Sequence, residues 1–141
     1  MKIYFSCSIT GGRQDQPIYA ALVESLQASG HEVLTAQLSN AAILDEERVI
    51  SASAVYQRDV AWVNECDALI AEVSTPSHGV GYEISLALSL GKPVLCCYQA
   101  GRPVSKMILG NDHPALQLAA YQSIPELLLL VNGYLDVTFQ L

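Results

Sequence analysis

The sequence predicts an α/β fold: a three-layer sandwich with a five-stranded parallel sheet of flavodoxin-like or Rossmann-like type between helices. Three observations point there. Short apolar runs (KIYFSCSI, DALIAEV, VLCCY) alternate along the chain with segments of helical period. Those runs carry little charge, as expected of strands covered on both faces. The order reads β-α-β-α-β-α-β-loop-β-α, and connections between parallel strands favour a flavodoxin-like strand order of 2-1-3-4-5. The 141 residues fit one domain, 1–141.

Each element has its own justification. Lys2 to Ile9 forms the first strand, and Thr10-Gly11-Gly12-Arg13 turns away from it. Gln16-Pro17 opens a helix whose apolar stripe is Ile18, Ala21, Leu22 and Leu26, and Gly30 stops it. HEVLTA gives the second strand. Residues 36 to 47 are polar and irregular, a candidate flexible loop over a cleft. The next helix is expected from Glu47 to Asn64, with Val55, Asp59 and Trp62 on its inward face. DALIAEV is the third strand. Gly91-Lys92-Pro93 leads into VLCCY, the fourth. Gln99 to Asn111 forms a loop with a short turn near Met107, and Ala115 to Tyr121 is a weak fifth strand. Ser123-Ile124-Pro125-Glu126 is a capping box that opens the closing helix.

Composition excludes several roles. A net charge of −7 argues against a nucleic-acid groove or an anionic membrane surface as partner, yet leaves room for one small phosphate in a nest of amides. No apolar run approaches the ~20 residues of a membrane span. Met1-Lys2 runs straight into a strand without a signal-peptide pattern, so the expected location is cytoplasmic. Cys7, Cys66, Cys96 and Cys97 make no C-x-x-C, and His31, His78 and His113 share no ligand spacing, so no metal site is expected.

The chemistry concentrates between Ala71 and Leu90. Thr75-Pro76-Ser77-His78-Gly79 is a turn cluster at the end of a strand, and the helix after it carries Glu83. Open α/β sheets bind ligands at that edge, and a helix N-terminus favours an ionised carboxylate or a bound phosphate. An ordinary first-turn Glu is the competing explanation. Asp59 on an apolar face is costly unless it is paired or working, and a structural pairing with Arg58 competes with a catalytic role. Gly11-Gly12 with Ser8 and Thr10 forms neither a G-x-G-x-x-G nor a P-loop.

Four blocks in order, namely Tyr4 with S-I-x-G-G-R, the D-x-x-W helix, A-E-V-x-x-P-S-x-G-V-G-Y-E and V-S-x-M-I, resemble the nucleoside 2-deoxyribosyltransferase superfamily. Within it the chain is most similar to the 2'-deoxynucleoside 5'-phosphate N-hydrolases. The resemblance implies Glu83 as nucleophile, Asp59 as second catalytic carboxylate and Tyr4 as a hydroxyl near the sugar. It implies nucleotide binding by Cys7, Ser8, Ile9, Thr10, Gly11, Gly12 and Arg13 with Ser77 and Gly79. Ser105 and Met107 would reach the neighbouring subunit's site in a homodimer, and no cofactor is implied. Thr10 and Gln37 stand where mammalian relatives carry Arg and His. Competing expectations are a deoxyribosyltransferase, a ribonucleotide N-glycosidase of CMP type, and a non-catalytic nucleotide sensor on the same fold.

Overall fold

A computed structural model describes all residues, 1–141. Five strands, β1 (Lys2–Ser6), β2 (Glu32–Val33), β3 (Ala68–Glu72), β4 (Val94–Gln99) and β5 (Leu116–Tyr121), form one parallel sheet. Their order is β2-β1-β3-β4-β5, the order expected from the sequence. The helices are α1 (Gln16–Ala28), α2 (Ile43–Arg48), α3 (Ala52–Glu65), α4 (His78–Ser89), α5 (Lys106–Leu109) and α6 (Ile124–Phe139). None is long and apolar enough to cross a membrane.

Side-chain alternation along the strands divides the core in two. Ile3, Phe5, Ile70, Leu95 and Cys97 pack with Tyr19, Leu22 and Leu26 of α1 and Leu127, Val131 and Leu135 of α6. Tyr4, Leu69, Ala71, Val94 and Cys96 pack on the other face, with Val63 of α3 and Val80, Ile84, Ala87 and Leu88 of α4. Tyr4 and Ser6 therefore lie on the side covered by α3 and α4. All four cysteines are buried and unbridged. Burial pushes the thiols of Cys7 and Cys96 up to about 12 and that of Cys66 to about 11.

The helix ends follow local chemistry. Ser51, Ser77, Ser105 and Ser123 each cap a helix through the side-chain oxygen. At the end of α4, Gly91 takes φ +71°, the Gly91 amide donates to Leu88 O and the Lys92 amide to Ala87 O. This is the paired hydrogen-bond signature of a left-handed stop.

Three expectations need correction. The second strand is two residues long, because the chain turns at Thr35. There the threonine hydroxyl accepts from the Phe5 amide (3.0 Å) and donates to the Phe5 carbonyl (2.7 Å). A buried side chain thus replaces a third ladder residue. Residues 36–47 are not one irregular loop: a 3-10 turn covers Ala36–Ser39, and Ile43, 1% exposed, anchors α2. The helix expected from Glu47 starts at Ala52, since Ser51 is extended and caps it.

The core assignment makes a contrast measurable. Leu69, fully buried on β3, should cost about 2–5 kcal/mol when changed to Ala. Leu129, 76% exposed on α6, should cost less than about 0.5 kcal/mol on the same change. Urea unfolding of the two variants checks this, and equal losses would refute the burial pattern.

Candidate active site

Glu83 lies in the second turn of α4, turned toward β1. Its Oε1 accepts from the Tyr4 hydroxyl at 2.8 Å and its Oε2 from the Ser6 hydroxyl at 2.5 Å. Tyr4 and Ser6 are two residues apart on one strand face, so the sheet itself presents both donors. The sequence expectation of a dipole-stabilised, ionised carboxylate needs revision. Burial pushes the Glu83 carboxyl up to about 7, against the Ser6 and Tyr4 hydrogen bonds that pull it down, with Asp59 pushing it further up. Desolvation outweighs the helix terminus because Glu83 is the sixth residue of α4, beyond the first turn where the dipole is felt.

Asp59, on α3, shares a cavity of about 200 Å³ with Glu83, Tyr56, Val60, Val63, Gly79, Tyr82 and Leu86. Its Oδ1 accepts from Arg58 Nε at 2.9 Å, while Arg58 Nη1 donates to Glu47 Oε1 at 3.0 Å. The pairing with Arg58 and the place beside Glu83 thus coexist. Burial raises the Asp59 carboxyl despite Arg58, which pulls it down. The Arg58 guanidinium also lies 5.0 Å from the centre of the Trp62 ring, which fixes it from the other side.

The remaining predicted residues divide into two groups. The loop after β1 packs on the loop after β3: a side chain at Gly11 would meet Pro76 O and Ser8 Oγ, each at 2.6 Å, so only glycine fits there. Ser8 is fully buried and Cys7 belongs to the α1/α6 core, which leaves Ile9, Thr10 and the loop backbone as the accessible part. Gly12 closes the turn. Arg13 donates to the carbonyls of Ser8 (3.2 Å), Leu38 (3.3 Å) and Asn40 (3.1 Å) and lies over the Tyr19 ring. Its guanidinium braces the 3-10 turn.

Ser77, Ser105 and Met107 line a second cleft, of about 630 Å³, with His78, Gly81 and Ser85. Gly79, Tyr82, Glu83 and Leu86 fall on one face of α4, whereas His78, Gly81 and Ser85 fall on another. Within one chain, then, Ser105 and Met107 do not share a cavity with Glu83. Ser6 was missed by the sequence reading, although its spacing of two from Tyr4 on a strand is the signal that pairs them.

The family model described as Nucleoside 2-deoxyribosyltransferase matches residues 3–126. A protein of Methanococcoides burtonii, named as a candidate 2'-deoxynucleoside 5'-phosphate N-hydrolase, is 39% identical over 113 residues, covering 80% of this chain and 93% of its own. The 5-hydroxymethyl-dUMP N-hydrolase of Mus musculus is 43% identical over 112 residues, which span 77% of this chain and 64% of the mouse protein. Among solved structures, the CMP N-glycosidase of Clostridium botulinum superposes with TM-score 0.73 at 20% identity, covering 95% of this chain and 99% of that one. At that identity the likeness concerns the fold.

The raised Glu83 carboxyl has a consequence for stability. Its proton is held to about pH 7 in the folded chain but is lost near 4.5 when unfolded. Stability linked to this group is therefore full below about 4.5 and falls as pH rises to about 7, by up to about 3 kcal/mol. Glu83→Gln should raise the melting temperature at pH 8 and leave it nearly unchanged at pH 4.5. The same difference at both pH values would refute the burial account.

Proposed function

The chain belongs to the nucleoside 2-deoxyribosyltransferase family, and from that membership we propose that it hydrolyses the N-glycosidic bond of 2'-deoxynucleoside 5'-monophosphates. The products are a free nucleobase and 2-deoxyribose 5-phosphate, and residues 1–141 work as one catalytic domain. The observation that carries this reading is the buried Glu83 carboxyl, held on both oxygens by strand hydroxyls and sharing a cavity with Asp59. Relatives at 39% and 43% identity named for N-hydrolysis of deoxynucleotides support the substrate class.

The reaction runs in two halves. The Glu83 carboxylate adds to C1' of the deoxyribose as the C1'–N bond breaks through an oxocarbenium-like state. The bonding pair leaves with the nucleobase, which takes up the proton that Asp59 carries. Water then adds to C1' and gives its proton to the Asp59 carboxylate, while the bond between C1' and Glu83 breaks. Both carboxyls return to their starting states. Tyr4 and Ser6 hold Glu83 so that attack needs no side-chain search.

A homodimer completes the site in this proposal. Ser105 and Met107 line a different cleft from their own Glu83, so they can serve a Glu83 site in a second copy. Exposed apolar side chains beside both cavities, including Tyr56, Tyr82, Met107 and Leu109, suit a face that a second copy covers. Ser77, the amides near Gly11, Gly12 and Gly79, and the partner's Ser105 would then hold the 5'-phosphate.

The decisive measurement follows base release from dGMP and deoxyguanosine, with and without a second free base. Hydrogen bonds to a charged group are worth about 1.5–3 kcal/mol each, so loss of the phosphate should lower kcat/KM at least ~10³-fold. Glu83→Ala should abolish turnover, and Asp59→Asn should lower kcat roughly 10²–10⁴-fold. In wild type, kcat/KM should climb through a pH near 7 as Glu83 ionises. Tyr4→Phe removes a donor to the carboxylate and should move that limb to higher pH. Equal rates on both substrates, or base exchange faster than hydrolysis, would make the chain a transferase of free nucleosides.

A further inference from the structure

Asp15 sits immediately before α1, at the position where an Asp side chain ordinarily caps the helix, and it makes no capping hydrogen bond. Its carboxylate, 5% exposed, turns instead to two other loops. Oδ2 accepts from the Thr75 hydroxyl at 2.8 Å, Oδ1 from Gln99 Nε2 at 3.1 Å, and Arg102 Nη1 reaches both oxygens at 3.0 and 3.1 Å. Arg102 Nη2 closes the set on Thr75 Oγ1 at 3.1 Å.

The two loops so joined are the walls of the larger cleft. Thr75 is followed by Pro76 and Ser77, and Arg102 by Pro103, Val104 and Ser105; all six residues other than Arg102 line that cleft. The other anchor of this segment is apolar, Val104 and Ile108 packing on the α3/α4 layer, while Ser105 and Met107 are exposed and α5 is one short turn. Taking Arg102 away would leave a nearly buried carboxylate without its cation, so the two groups enforce each other's place.

We infer that Asp15 is a positioning residue, which through Thr75 and Arg102 fixes both the loop that carries Ser77 into its own chain's site and the segment that presents Ser105 to the partner's site, and so sets the fit to a phosphorylated ligand. The ligand part of this inference rests on the function proposed above. The positioning part rests on the hydrogen bonds alone. It places recognition of the 5'-phosphate partly in a residue that does not touch it.

The test compares the 141-residue chain with its Asp15→Asn and Arg102→Lys variants, using amide hydrogen exchange and steady-state kinetics. Amides of residues 105–110 should exchange at least roughly tenfold faster in both variants, with those of α6 unchanged. KM for dGMP should rise by roughly tenfold while kcat stays within about threefold, and kcat/KM for deoxyguanosine should hold. Asp15→Glu, which keeps the charge, should recover part of the loss. Unchanged exchange at 105–110, or faster exchange spread evenly over the sheet and α6, would overturn the positioning role. So would equal losses on dGMP and deoxyguanosine. A wild-type chain that releases no base from dGMP would sink the hydrolase reading alone, and the exchange measurement would still decide the role of Asp15.

Discussion

A parallel sheet covered by helices on both faces forces every side chain of its inner strands into one buried layer or the other, and the rest of this molecule depends on that constraint. In β1 it sends Ile3 and Phe5 toward α1 and α6 and turns Tyr4 and Ser6 toward α3 and α4. Two hydroxyls in the second layer would be costly if left alone. Glu83 satisfies both, and the carboxyl is in turn held at a fixed place above the carboxyl end of the sheet. The candidate nucleophile and the alternation of the strand are thus a single arrangement.

The buried or half-buried acids divide by the partner that each was given. Asp59 and Asp15 face guanidinium groups, Arg58 and Arg102, and both pairs join elements distant in the chain or brace a cavity wall. Glu83 and Glu72 face hydroxyls: Glu72, fully buried at the end of β3, accepts from the Ser74 amide and the Ser74 side chain. Burial raises Glu72, Glu83 and Asp59 alike, with hydroxyl or amide donors pulling the first two down and the Arg58 guanidinium the third. With hydroxyls as its only partners, the Glu83 carboxyl is pushed up to about 7 and can change protonation near neutrality.

Much of this was legible in the sequence for identifiable reasons. Strand order followed from the alternation of apolar runs and helices, and Glu83 and Asp59 stood out as carboxylates where an apolar face or a turn made them conspicuous. What escaped was set by contacts between distant residues. Asp15 meets Arg102 across 87 positions, and no local pattern foretells that an N-terminal Asp will abandon its cap. The protonation of Glu83 turned on depth of burial rather than on its distance from a helix end. Thr35 ended β2 by bonding Phe5 with its side chain, which a propensity scale reads only as one more β-branched residue.

The four cysteines carry a consequence for watching this protein move. Each is enclosed by a core layer, and desolvation holds the thiols so far above neutrality that almost none is thiolate in the folded chain. A thiol reagent in solution therefore meets reactive sulfur only when part of the sheet opens. Cys96 and Cys97 point to opposite layers from adjacent positions on β4, so their labelling rates separately time the loosening of the α3/α4 side and of the α1/α6 side. The native sequence is its own two-channel clock for local unfolding.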